Sequence, residues 1–133
     1  MLEHPINSRI WHTPELVSLA RKHHGLFVTL DQCGYGAKWR KRTKLMCFNV
    51  FPEDLSKLSR LCRGPNGCCS FSGNPHVILE GLASPGVKWT AVAAAYPRRL
   101  ADLMVQTLLA PSRLACASQL EKSLFRSPPS AAL

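Results

Sequence analysis

Residues 26–50, LFVTLDQCGYGAKWRKRTKLMCFNV, contain two apolar segments separated by a polar loop. The run Leu26 to Leu30 is short, apolar and partly β-branched, which predicts a buried strand that ends at Asp31. Residues 43–50 predict a second strand, and residues 32–41 predict the loop that joins the two. We therefore expect a sheet in which a basic loop connects two strands.

Helical patterns lie on both sides of this stretch. Thr13, Pro14 and Glu15 combine a capping residue, a proline at the first helical position and an acid, which predicts a helix from Pro14 to His23. Residues 52–61 predict a second helix, and leucines at helical spacing predict a third that begins at Pro97. With a further short strand at residues 77–79, the chain is predicted to be an α/β domain with about three strands and three helices.

The length of 133 residues indicates a single domain, which we place at residues 1–110. Residues 111–133 are rich in Ser, Pro and Ala, and this composition predicts a disordered tail. The first residues lack the basic start and apolar stretch of a signal peptide, and no apolar run reaches the roughly 20 residues of a spanning helix. These patterns predict an intracellular protein without a membrane partner.

Positive charge is concentrated in the loop between the two strands. The chain has 17 Lys and Arg against 8 Asp and Glu, a net charge of +9 that favours a polyanionic partner. The cations of the loop and of the strand after it are Lys38, Arg40, Lys41, Arg42 and Lys44. Together with the aromatic residues Tyr35 and Trp39, they are candidates for nucleic-acid contacts. The alternative is a solvated loop with two packing aromatics.

The six cysteines occur without a secretion signal, which argues against a disulfide framework. Cys62, Cys68 and His76 lie in one Gly-, Pro- and Ser-rich segment, where thiolates and an imidazole could surround a tetrahedral ion. Cys68 and Cys69 are adjacent and are expected to supply one ligand between them. Cys33 or Cys47 would complete the set from the neighbouring strands. The sequence therefore predicts a possible zinc site formed by Cys62, Cys68, His76 and Cys33. The alternative is a group of buried thiols.

The order of several motifs resembles a known family. Glu3-His4-Pro5, then residues 31–36 (DQCGYG), residues 39–43 (WRKRT), a Cys and His segment, and Ala95-Tyr96-Pro97 follow one another along the chain. This order resembles a methyltransferase-like family of phages, large viruses and protists that is distantly similar to the DNA cytosine-C5 methyltransferases. The resemblance implies a partial Rossmann-like fold, the C-terminal half of a class I methyltransferase.

The resemblance also implies roles for individual residues. Glu3 matches the acid that holds the target base, and Arg40 and Arg42 match arginines that support the base-binding site. S-adenosylmethionine would be the cofactor of a full-length relative, but this chain lacks the glycine-rich turn after a first strand and a Pro-Cys nucleophile. The chain alone is therefore expected to hold no such cofactor, and a partner chain would have to supply the N-terminal half.

Two functional hypotheses follow from these patterns. The first is a C-terminal fragment of a DNA methyltransferase that is inactive alone and binds nucleic acid. The second is a small zinc-stabilised nucleic-acid-binding module, of the kind found in mobile elements.

Overall fold

The computed structural model describes the backbone of residues 1–124 and the side chains of residues 1–112. Its strands are β1 (Leu2–Pro5), β2 (Leu26–Asp31), β3 (Arg42–Cys47), β4 (Leu82–Ser84) and β5 (Val87–Lys88). Its helices are α1 (Pro14–Lys22), α2 (Pro52–Ser56), α3 (Trp89–Val92) and α4 (Arg98–Leu124). Two 3-10 helices, Arg9–His12 and Gln32–Tyr35, complete the described elements.

The main sheet has the strand order β1-β3-β2, and both of its strand pairs are antiparallel. The connection from Gln32 to Lys41 is shorter than the dozen or so residues that a parallel crossover needs, so β2 and β3 pair as a hairpin. β4 and β5 form a separate antiparallel pair. The predicted mixture of helices and strands is confirmed. The parallel sheet of a Rossmann-like fold is not present among the described residues.

One face of the main sheet forms the hydrophobic core. Alternate residues of β2 and β3 point to this face, among them Val28, Leu30 and Leu45. They pack against Leu58 from the segment after α2 and Leu100 from α4. The core therefore joins the hairpin to two segments that are distant in the sequence.

On the opposite face of the sheet, the first 3-10 helix and α1 flank Phe27, which stays partly exposed. The Trp11 ring packs edge-on against Phe27, and its indole N–H donates to the Pro5 carbonyl at 2.8 Å. The Lys44 ammonium lies 4.5 Å from the centroid of the Phe27 ring, an arrangement in which a cation is attracted to the ring face. α1 begins at Pro14 as predicted and ends at Lys22, one residue before the predicted end.

Two predicted elements are shorter than the sequence pattern indicates. The second strand of the hairpin ends at Cys47, because Asn49 has a positive φ of 53° that is incompatible with an extended strand. α2 ends at Ser56 instead of Leu61, since the chain then turns so that the Arg60 carbonyl can accept from Asp31 N–H at 2.8 Å. Tertiary hydrogen bonding therefore overrides the helical pattern there.

Residues 57–81 form a long loop. The predicted strand at residues 77–79 is not formed, although the Val77 N–H donates to the Lys38 carbonyl at 2.8 Å. This contact attaches the long loop to the connection between β2 and β3. β1, β4 and β5 were not predicted from the sequence, because each is only a few residues long and has no clear alternation.

The last helix, α4, begins one residue after Pro97 and runs to Leu124. The predicted boundary at residue 110 therefore lies inside a helix, and residues 125–133 of the predicted tail lie outside the described residues. Within residues 1–124, no helix combines the length and the apolar character that crossing a membrane requires.

Candidate metal centre

Four side chains converge beside the end of β2. Cys33 comes from the 3-10 helix after β2, Cys62 follows α2, and Cys69 and His76 come from the long loop. Their potential ligand atoms, three Sγ atoms and one imidazole nitrogen, all lie within 4.8 Å of one another. The three cysteines are free thiols, buried together in a cluster separate from the main core.

One distance within the cluster has the length expected around a tetrahedral ion. Zn–S and Zn–N bonds of about 2.3 and 2.0–2.1 Å give ligand–ligand distances of about 3.5–3.8 Å in a tetrahedron. The Cys62 Sγ and His76 Nε2 atoms are 3.7 Å apart. The donor set of three sulfurs and one nitrogen is one that zinc favours over magnesium or calcium.

The histidine is oriented by the loop that carries it. His76 Nδ1 lies 2.7 Å from the Gly67 carbonyl oxygen, so Nδ1 carries the proton and donates it. The other ring nitrogen, Nε2, faces the cysteine cluster. A metal-ligating histidine characteristically makes such a hydrogen bond from its other ring nitrogen.

The loop backbone fixes which of two adjacent cysteines enters the cluster. Cys68 pairs with Pro75 in an isolated antiparallel bridge, and the Cys69 N–H donates to the Asn74 carbonyl at 2.8 Å. The loop also approaches Gly64 so closely that a Cβ there would lie 1.9 Å from the Cys68 carbonyl oxygen. Only glycine fits at this position without moving the backbone.

Burial raises the pKa of the clustered thiols Cys62 and Cys69, but hydrogen bonds lower it overall in both. For Cys62, burial is outweighed by donors from Ser70 and from the Gly64 backbone, which lower that pKa to about 6. The Ser70 N–H lies 3.3 Å from the Cys62 Sγ. Burial and the neighbouring thiols Cys69 and Cys62 raise the pKa of Cys33 to about 12. A cation would be needed to hold all three sulfurs as thiolates.

A buried carboxylate connects the centre to the basic loop. Asp31 is fully buried and receives two hydrogen bonds from Arg42, at 2.9 and 2.8 Å. The same carboxylate accepts from the Cys62 N–H at 2.7 Å, while Arg40 donates to the Cys62 carbonyl at 2.8 Å. Both backbone polar groups of Cys62, a candidate ligand, are therefore held by the hairpin.

The basic residues singled out in the sequence have mostly intramolecular contacts. Arg40 and Arg42 contact Asp31, and the Lys41 ammonium lies 3.9 Å from the Glu3 carboxylate. Lys44 lies over aromatic rings on the other face of the sheet. The Lys38 side chain is exposed. These five basic residues therefore do not form one continuous cationic surface.

The two aromatic candidates and Glu3 also make specific contacts. The buried Tyr35 hydroxyl donates to the Leu58 carbonyl at 2.8 Å, and the Trp39 indole donates to the Gln32 side-chain oxygen at 3.0 Å. Glu3 accepts a hydrogen bond of 2.8 Å from the Tyr96 hydroxyl.

The structure brings together three of the four metal ligands expected from the sequence, Cys33, Cys62 and His76. The fourth member is Cys69, where the expectation was Cys68, because the turn directs the second of the two thiols inward. The sequence analysis also missed Asp31. Its position opposite Arg42 in a hairpin could have indicated an ion pair.

No family model, curated protein or solved structure matches the chain. The methyltransferase resemblance therefore stays a prediction from the sequence.

Proposed function

We propose that this protein is a zinc-stabilised nucleic-acid-binding module. The observation that carries the proposal is the convergence of Cys33, Cys62, Cys69 and His76 within 4.8 Å. With four protein ligands, the coordination sphere of a tetrahedral zinc is complete and leaves no open position for a substrate. The metal would therefore stabilise the fold and would not catalyse a reaction.

A metal at this centre would crosslink segments of the chain that are distant in sequence. It would link Cys33, in the 3-10 helix after β2, to Cys62, Cys69 and His76, which are spread along the loop that spans residues 57–81. That loop contains little regular structure, and a domain of this size has a limited core. The binding free energy of the metal would therefore contribute directly to folding.

Nucleic acid is proposed as the partner because of the net charge of +9. Such an excess of Lys and Arg attracts a polyanion, and neutralised phosphates release condensed counterions. Arg40 and Arg42 form ion pairs with the buried Asp31 and so stabilise the fold. We therefore expect other Lys and Arg side chains to contact phosphates.

The methyltransferase-fragment hypothesis is supported by one contact. Tyr96 and Glu3, which belong to the last and the first motif of the resemblance, share a hydrogen bond. The antiparallel pairing of the described strands gives no support to a Rossmann-like half-domain. If this hypothesis holds, S-adenosylmethionine binding requires a partner chain, and a calorimetric titration of this chain alone with that cofactor should show no heat of binding.

The proposed function is tested by comparing the zinc-loaded and the metal-free protein. Fluorescence anisotropy of labelled single-stranded and duplex oligonucleotides is measured over a range of salt concentrations. The zinc-loaded protein should bind with an affinity that falls steeply with salt, chelation should abolish binding, and added zinc should restore it. Binding without salt dependence, or no binding by the loaded protein, would contradict the nucleic-acid part of the proposal.

A further inference from the structure

A cavity of about 570 Å³ lies between the hairpin connection and the segment that leads into α4. Trp39 lines it from the hairpin connection, and Trp89 and Tyr96 line it from the other side. Its volume lies in the range of small-ligand sites, about 300–1,000 Å³. The site is separate from the candidate metal centre, whose four residues do not line it.

Two of the aromatic walls are fixed by hydrogen bonds. The Trp39 indole N–H donates to the Gln32 side chain at 3.0 Å, and the Tyr96 hydroxyl donates to Glu3 at 2.8 Å. A binding site whose side chains are already held in place loses less conformational entropy when a ligand binds. The cavity therefore presents preformed aromatic surfaces.

The charged side chains that line the cavity are positive, and the Glu3 carboxylate lies behind its wall, bound to the Tyr96 hydroxyl. Lys38, Arg98 and Arg99 line it, and none of its described lining residues is acidic. The nearest acid on α4, Asp102, lies 4.0 Å from Arg98, and both side chains are largely exposed, so this pair neutralises the arginine weakly. Two arginines also stand at the positive end of the α4 dipole, where an anion would offset an unfavourable charge.

Aromatic walls with a cationic rim fit a ligand that has both a planar ring and a negative charge. A nucleotide has these features, since its base stacks on aromatic side chains and its phosphate pairs with Lys or Arg. In a duplex, the bases are stacked on one another and are not available to the cavity. We propose that this cavity binds an unpaired nucleotide of a single strand, with the base against Trp39 and Trp89 and the phosphate near Arg98 and Arg99.

This inference rests on the proposed function and locates its nucleic-acid-binding site in the aromatic cavity. The metal centre and the cavity share one segment, because Cys33 and Gln32 are neighbours in the same 3-10 helix. A metal bound at Cys33 would therefore hold the helix whose glutamine positions Trp39.

The first test concerns the aromatic walls. Trp89→Ala in the zinc-loaded protein should weaken binding of a short single-stranded oligonucleotide about 5- to 100-fold, and Trp89→Phe should retain most of the affinity. Zinc content and far-UV circular dichroism establish that both variants are folded. Unchanged affinity of Trp89→Ala would overturn the inference.

The second test concerns the charges and has a matched control. The double variant R98Q/R99Q should reduce the slope of log affinity against log salt by about 1.4 for a single strand. The control R21Q/K22Q removes the same charge from α1, where Arg21 lies near Phe27 and away from the cavity, and should change the slope much less. Equal effects of the two double variants would show that only net charge matters, and the cavity proposal would fail.

A comparison of single strands, duplexes and mononucleotides distinguishes failure of the cavity proposal from failure of the proposed function. We expect single-stranded DNA or RNA to bind more tightly than the duplex of the same sequence, with competition by a mononucleotide only at much higher concentration. A duplex that binds equally well contradicts the cavity proposal and leaves the proposed function standing. A mononucleotide that binds as tightly as the strand would overturn the assignment of a single strand, because the ligand would then be a free nucleotide. Absence of binding to any nucleic acid overturns both proposals.

Discussion

At the scale of single residues, Asp31 has the densest set of interactions around the centre. Its carboxylate is fully buried and contacts Arg42, Arg40 and the Cys62 N–H. Burial alone raises the pKa of Asp31, but the hydrogen bonds of Arg42 and of the Cys62 backbone, with the charges of both arginines, lower it overall. Asp31 therefore remains a carboxylate and holds the backbone of Cys62, a candidate metal ligand.

Replacing this carboxylate by an amide should be strongly destabilising. Asp31→Asn leaves two guanidinium groups without their buried counter-charge, and we expect a loss of about 3 kcal/mol in the free energy of unfolding. Urea denaturation of the zinc-loaded wild type and variant measures this loss in the free energy of unfolding. The control Asp54→Asn breaks a surface pair with Lys57 and should cost less than about 1 kcal/mol. Similar losses in both variants would count against the role of Asp31.

The two kinds of loop cation should behave differently. Lys38→Gln removes an exposed charge at the cavity and should reduce the salt slope for single-stranded binding by about 0.7. Arg42→Gln removes a partner of Asp31, so its main effect should be a lower free energy of unfolding with little change in slope. Titrations at several salt concentrations and urea denaturation test both variants. If the slope of log affinity against log salt changes more for Arg42→Gln than for Lys38→Gln, the assignment of Lys38 to phosphate binding and of Arg42 to stability is contradicted.

At the scale of secondary-structure elements, local pattern predicted α1, the β2–β3 hairpin strands and the start of α4 to within a few residues. Each of these has a clear apolar period or a capping signal. The end of α2 could not be predicted, because hydrogen bonds between Arg60, Cys62 and Asp31 determine it. Three ligands of the candidate site were predictable from residue type. The choice of Cys69 over Cys68 depends on a turn that residue type does not specify.

The attachment of α4 to the core can be tested within one helix. Leu100 is 1% exposed in the main core, whereas Val105 is 54% exposed. Leu100→Ala should lower the free energy of unfolding by about 2–5 kcal/mol, because it leaves a cavity in the core. Val105→Ala should change it by less than about 0.5 kcal/mol. Comparable effects of the two substitutions would contradict the packing of α4 against the sheet.

At the scale of the whole molecule, a small antiparallel sheet, a long helix and an extended loop are held together by one core and one cluster of potential metal ligands. The loop over residues 57–81 has little regular structure. Hydrogen bonds of its Arg60, Cys62 and Val77 backbone attach it to the β2–β3 hairpin and its connection. The aromatic cavity lies next to the same hairpin connection. Folding, metal binding and ligand binding are therefore expected to be coupled in this protein.

The central claim is that Cys33, Cys62, Cys69 and His76 bind one zinc ion, and metal analysis combined with X-ray absorption at the zinc edge tests it most directly. Purified protein should contain about one equivalent of zinc in a shell of three sulfurs and one nitrogen at about 2.3 and 2.0–2.1 Å. Cys69→Ser should lose the metal, and its neighbour Cys68→Ser should retain it. Less than about a tenth of an equivalent in the wild type, or equal zinc loss in the two serine variants, would contradict the assignment.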